Sequence, residues 1–257
     1  MEAPLVLPES GTVRVQVTVA EPDTDGRRAV AIWSGQDDVR CHARGFLATD
    51  TTPPAELSWP PADAESIDGL YERLADAGYE YGPAFQGVQA AWRSGDRFYA
   101  EVVQPEQATG SGFVLHPALF DAALHAGFDQ LDAGGVPFSW TGVRIHRTGA
   151  TKLRVRISPA GPSALRLDLA DDGNRPVATV DTLTLRPIGR SQPRRTPLHG
   201  RMDPVGAAAG DGRTEHVVAP VERPTTEDLA AAALEMVQRT LDRVQGGSRT
   251  TVPPMPG

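Results

Sequence analysis

Apolar and polar positions alternate strictly over residues 12–19, TVRVQVTV, with Val13, Val15, Val17 and Val19 on one face. That period of two is the signature of a half-buried strand. EPDTDG reads as a turn, and RRAVAIWSG and DVRCHARGFLA repeat the alternation, so the pattern predicts an antiparallel meander over roughly the first 50 residues. The stretch TTPPAELSWPPADAE, 51–65, is broken by prolines and reads as a linker. The period then changes. In SIDGLYERLADAG, Ile67, Leu70, Leu74 and Ala77 recur at helical spacing, with Ser66 as the expected N-cap and Gly78 just past the end. FQGVQAAWRSGDRFYAEVV returns to alternation on either side of an RSGD turn. VLHPALFDAALHAGFDQL, residues 114–131, predicts a long apolar helix opened by His116 and Pro117. Four more alternating segments, VRIHR, KLRVRIS, ALRLDLA and VATVDTLTL, fill 143–186, with DDGN as a hairpin-type turn. Strands, one long apolar helix, then strands again predict an α+β fold in which an antiparallel sheet wraps around one buried helix.

After Pro187 the periodicity stops. Residues 189–213 are locally basic and rich in glycine and proline, which predicts a flexible connection. TTEDLAAAALEMVQRTLDRVQ then reads as a capped amphipathic helix, with Thr225 and Asp228 as a capping box and Leu229, Ala233, Met236, Val237, Leu241 and Val244 as its apolar stripe. The final GGSRTTVPPMPG is expected to be disordered.

Composition narrows the function classes. The 257 residues suffice for one large domain or two small ones with real cores. A net charge of −8 without a basic stripe argues against nucleic acid. No apolar run approaches the ~20 residues of a membrane helix. MEAPLVLPES carries neither a basic n-region nor an apolar h-region, so it is not read as a secretory signal. Cys41 is the single cysteine, which rules out an internal disulfide and a thiol-only metal site and fits a reducing cytoplasm. No spacing of His, Cys, Asp and Glu suggests a metal. Against this plain background one residue stands out: Asp121, a carboxylate inside an apolar helical run. It is either a solvated residue on a helix edge or a catalytic acid in an apolar tunnel.

Three motifs weigh on that choice. GYEYGPAFQG (78–87), LHPALFDAALHA (115–126) and VPFSW (136–140) occur in this order. Together they resemble the dehydratase domain of modular type I polyketide synthases, over a span from about Glu2 to Pro187. The resemblance implies a double hot-dog fold, in which each half is an antiparallel sheet wrapped around one long helix. It makes the helix of 115–126 the second-half hot-dog helix. It also implies a reaction, loss of water from a β-hydroxyacyl chain held on the phosphopantetheine of an acyl carrier protein, with no cofactor of the domain's own. In such domains a histidine takes the α-proton and an aspartate protonates the leaving hydroxyl. By motif position the aspartate is Asp121. His125, four residues on and thus on the same helix face, would orient it, or would instead bond backbone at the core edge. Tyr81 would lie near the same tunnel, lined by Pro83, Phe85, Leu124, Pro137 and Phe138. A carboxyl group enclosed by apolar residues keeps its proton and can donate it.

The chain departs from the family pattern in two respects, a base motif and the tail. The base motif His-x-x-x-Gly-x-x-x-x-Pro begins at none of the six histidines, His42, His116, His125, His146, His199 and His216. The expected organisation is therefore a remnant of the first hot-dog over 1–50, the linker and short helix over 51–77, the second hot-dog over 78–188, a linker over 189–224, and a tail over 225–257 similar to the start of a ketoreductase structural subdomain. This sequence is expected to be truncated and of low activity alone. Its expected partners are an acyl carrier protein and either a polypeptide supplying the missing half or a second copy, with neither nucleic acid nor membrane. The Val13–Val19 row is expected to be exposed or paired elsewhere, for want of a helix to cover it. A non-catalytic scaffold, acyl-binding or dimerisation role is the alternative.

Overall fold

A computed structural model describes residues 1–6, 12–35, 39–54, 56–59, 61, 63–108, 113–128 and 135–187, together with the backbone of 215–222. The first meander forms as its alternation predicts: β1 (Thr12–Pro22), β2 (Arg28–Ser34) and β3 (Arg40–Leu47) pair antiparallel in sequence order. A later strand, β11 (Glu215–Glu222), adds to the free edge of β1, with Val17 opposite Val217. The second sheet has seven strands. They are β4 (Glu65–Ser66), β5 (Val88–Ser94), β6 (Arg97–Val103), β7 (Gly135–Ile145), β8 (Lys152–Gly161), β9 (Ala164–Ala170) and β10 (Pro176–Pro187), in the spatial order β4-β5-β6-β8-β9-β10-β7. All its pairings are antiparallel. A short helix, α1 (Leu70–Asp76), precedes β5, and the long apolar segment forms α2 (Pro117–Phe128).

Two expectations change. Ser66 does not cap α1: it sits in β4, its hydroxyl donates to Asp68 Oδ1 at 2.9 Å, and Gly69 occupies the cap position. Gly78 does end the helix, with φ at +92°, a left-handed conformation that a side chain disfavours. Of the two outcomes expected for the Val13–Val19 row, exposed or paired elsewhere, the second holds, since β1 pairs with β11. Val15, Val17 and Val19 are buried, the first two in a small cluster with Leu5, Val13, Val30 and Ile32. The segment 215–222, expected within a linker, is strand. The amphipathic helix predicted from Thr225 onward lies outside the described residues.

Helix α2 organises the larger core. Ten of its twelve residues are buried; only Phe120 and Asp121 are not. Leu119, Ala122, Ala123 and Ala126 meet Val102, Val155, Ile157 and Leu167 in one apolar cluster, all essentially inaccessible to water. Small residues allow that close approach. A Cβ on Gly87 would lie 2.8 Å from the Val103 carbonyl oxygen and 3.0 Å from Ala122 Cβ, so only glycine fits between β6 and α2. The second face of the sheet is polar. Asp168 is held by Arg156 and Arg166, each at 2.9 Å. Arg166 continues to Asp181 at 3.0 Å, and Asp181 to Arg144 at 2.7 Å. Arg144 also pairs with Asp50, which fastens the segment after β3 to β7. Alternation in the sequence thus becomes an apolar face on the helix and a ladder of ion pairs behind it. No described helix is long and apolar enough to cross a membrane.

Because Leu119 fills a fully buried site between α2 and the sheet, Leu119→Ala should destabilise the protein by about 2–5 kcal/mol. Chemical denaturation measures this, and a loss under 1 kcal/mol would mean that α2 is not packed as described.

Candidate active site

Proline and histidine set the start of α2. Pro117 needs no hydrogen-bond partner in the first turn, and buried His116 accepts the amide proton of Ala118 on Nδ1 at 3.2 Å. From there the 3.6-residue period fixes which side chains point together. Asp121 and His125 lie one turn apart, with His125 Nε2 3.1 Å from Asp121 Oδ2. Their environments differ. His125 is wholly buried, whereas the Asp121 side chain is 36% exposed. The enclosure expected around Asp121 is therefore one-sided: a buried imidazole on its inner side and an opening on the other. Phe120, the only other residue of α2 that is not buried, packs its ring 5.3 Å from that of Trp140 on β7.

The turn between α1 and β5 closes over His125 from above. The Tyr81 ring lies 3.9 Å, centroid to centroid, from the imidazole. Gln86 Nε2 donates to the Tyr81 carbonyl at 2.8 Å and holds this turn in shape. Tyr79 stacks between Tyr81 and Phe128, and its hydroxyl donates to the Gly135 carbonyl at 2.9 Å. Burial, reinforced by the negative charge of Asp121, pushes the Tyr81 phenol well above its ordinary value.

Tyr71 on α1 was not legible as a site residue. Its hydroxyl lies 3.3 Å from His125 Nδ1, across 54 positions of sequence, and accepts the Val88 amide proton at 3.0 Å. Burial pushes Tyr71 up to about 12, and the Asp121 charge adds to the effect. One signal was available: Tyr71 follows Ile67 by four and precedes Leu74 by three, which places a hydroxyl on the apolar face of the helix, where it needs a partner.

The other expected site residues are more dispersed. Pro83 and Phe85 form a single turn of 3₁₀ helix beside Tyr81, the first exposed and the second half-buried. Leu124 is in the core cluster. Pro137 and Phe138 lie on β7, half-buried, and the Arg186 guanidinium sits 3.5 Å over the Phe138 ring. His42 and His146 are engaged away from Asp121. His42 bonds Ser34 Oγ at 2.7 Å and the Ala3 carbonyl at 3.1 Å, and His146 lies 3.3 Å from Thr179 Oγ1. Among the described residues no cluster of three or more His, Cys, Asp or Glu could hold a metal ion.

What this arrangement offers chemically is one carboxyl group, open on one side and fixed on the other by a buried imidazole. Comparison with known proteins gives it a context. The family model described as the polyketide synthase dehydratase N-terminal domain matches residues 49–195. Polyketide synthase GfsE of Streptomyces halstedii is 45% identical over 75% of this chain, and mycoketide-CoA synthase of Mycobacterium tuberculosis is 42% identical over 96% of it. This chain spans about 6% of the length of each. Among solved structures, the dehydratase domain from the terminal module of the rifamycin polyketide synthase superposes with a TM-score of 0.66 at 40% identity, covering 72% of both chains. The erythromycin dehydratase gives 0.62 at 39% identity, covering 72% of this chain and 71% of that one.

A phenol held above its ordinary value of 10.0 stabilises the folded state below that pH, and the contribution is lost as pH rises toward about 12. An alkaline absorbance titration should therefore show Tyr71→Phe removing a phenol that ionises near pH 12. If the absorbance removed belongs to a step near 10.0, Tyr71 is not buried against the site.

Proposed function

This chain belongs to the polyketide synthase dehydratases, and from that membership we propose that it removes water from a β-hydroxyacyl chain presented on the phosphopantetheine of an acyl carrier protein, with Asp121 as the proton donor. The observation that carries the reading is the asymmetry at Asp121, fixed on its inner side by His125 and open on its outer side. In the step proposed, a base removes the proton from the α-carbon and the electron pair forms the Cα=Cβ double bond. The bond from the β-carbon to its oxygen breaks, and the departing hydroxyl takes the Asp121 proton to leave as water. Asp121 ends as a carboxylate. His125 orients the carboxyl, and the Tyr81 ring covers the His125 imidazole.

The base is assigned to no residue of this sequence. His125 is unsuited to the task, because it is wholly buried and both its ring nitrogens already have neighbours within hydrogen-bond reach, Asp121 and Tyr71. The 257 residues alone are therefore proposed to turn over slowly, and a polypeptide bearing the His-x-x-x-Gly-x-x-x-x-Pro motif to raise the rate. The same observation favours a second reading, a non-catalytic domain that binds the acyl chain or a second copy.

The two readings are separated by following water loss from a β-hydroxyacyl thioester, with the chain alone and with the motif-bearing segment supplied. The dehydratase reading predicts enoyl product and a fall of about 10²–10⁴-fold in rate for Asp121→Asn. No product under either condition, or equal product from Asp121→Asn, contradicts it.

A further inference from the structure

We propose that Tyr71 is a positioning residue that locks His125 in the tautomer carrying its proton on Nε2, so that His125 donates to one oxygen of Asp121 and leaves the other to carry the transferable proton outward. The hydrogen-bond direction stands on geometry alone; only its consequence for catalysis rests on Asp121 being the proton donor.

The direction follows from a count of protons. An amide N–H only donates, so the Val88 contact at 3.0 Å makes the Tyr71 oxygen an acceptor there. The phenol has a single proton left to place. Two acceptors lie within reach: the Phe85 carbonyl at 3.5 Å and His125 Nδ1 at 3.3 Å. The carbonyl already accepts from the Gly87 amide at 3.0 Å, and its distance to Tyr71 is at the outer limit of a hydrogen bond. Nδ1 is the nearer acceptor. A phenol proton aimed at Nδ1 requires that nitrogen to be bare, and a neutral imidazole then carries its proton on Nε2. Nε2 is the atom 3.1 Å from Asp121 Oδ2. His125 is wholly buried, so protein groups rather than bulk water select its tautomer. The chain of donors runs Val88 N–H to Tyr71, Tyr71 O–H to His125, and His125 N–H to Asp121.

The opposite tautomer would reverse the outcome. A proton on Nδ1 would place two donors on the Tyr71 oxygen and turn a bare Nε2 toward Asp121. A protonated Asp121 would then donate inward to His125, away from any substrate. Tyr71 thus decides which way the carboxyl proton faces, although it does not touch Asp121 itself. The arrangement also explains why a residue on a separate helix, joined to α2 through a turn and two strands, is packed against the imidazole edge.

The test is the tautomer of His125, read by NMR of the nitrogen-labelled chain at mildly alkaline pH. The wild type should show Nε2 protonated and Nδ1 bare. A carboxylate only accepts, so Asp121 itself favours a proton on Nε2, and Tyr71→Phe is therefore read in the Asp121→Asn background, where an amide can meet either form of Nε2. Asp121→Asn alone should keep the wild-type tautomer, because Tyr71 still sets the ring, and Tyr71→Phe combined with Asp121→Asn should lose it, giving a mixture or the reverse tautomer. A wild-type ring with Nδ1 protonated overturns the proposal, as does a reversed tautomer in Asp121→Asn or an unchanged one in the double variant. If the double variant fails to fold, the wild-type and Asp121→Asn assignments still decide. The result does not depend on turnover: the expected tautomer in a chain that never releases water would refute the dehydratase reading and leave this one standing.

Discussion

The structure depends on burying a helix that is apolar on nearly every side. Helix α2 is too hydrophobic to rest on a surface, so the seven-stranded sheet curves around it, and Ala, Gly and Leu side chains set how closely they meet. Burial of this kind scales with the apolar area removed from water, and a helix covered all around removes more than an amphipathic one. The constraint also creates the site. Where coverage fails, at Phe120 and Asp121, the helix presents one carboxyl group to the outside, and its own periodicity sets a histidine one turn below. A reactive group thereby sits on a rigid element, positioned by the same packing that stabilises the fold.

The layers around that point have distinct tasks. Tyr71, Tyr81 and Tyr79 close over His125 from α1 and the turn that follows it, supplying aromatic surface with polar tips. Behind the sheet, the ion-pair ladder from Arg156 through Asp168, Arg166 and Asp181 to Arg144 keeps charge on the solvent face and ties Asp50 to β7. Asp168 is buried between two guanidinium groups that would otherwise compete for water. Such a group is tolerated because its oxygens are fully engaged.

Periodicity made much of this legible. Alternation in TVRVQVTV, KLRVRIS and ALRLDLA marked β1, β8 and β9, because a strand with one face on a core must alternate. Asp121 and His125 were legible as a pair, because helical spacing puts i and i+4 together whatever the tertiary structure. Contacts across sequence were not. Nothing in the spacing brings Tyr71 to His125, and Ser66 looked like a helix cap because local preference could not foresee that it sits in β4 and pairs with Trp92 of β5. VPFSW was legible as a motif but not as the first half of a strand, since proline and aromatic residues on an edge strand obscure the alternation. The burial of Val15, Val17 and Val19 depended on neighbours that alternation alone does not supply.

The central claim is that the open oxygen of Asp121 faces the departing hydroxyl. The most direct measurement is a structure of the Asp121→Asn chain with a β-hydroxyacyl pantetheine bound. The account predicts the β-oxygen at a hydrogen-bond distance of about 3 Å from the side chain of residue 121, with His125 on that side chain's other polar atom. A β-hydroxyl seated elsewhere, with residue 121 facing only solvent, would contradict it.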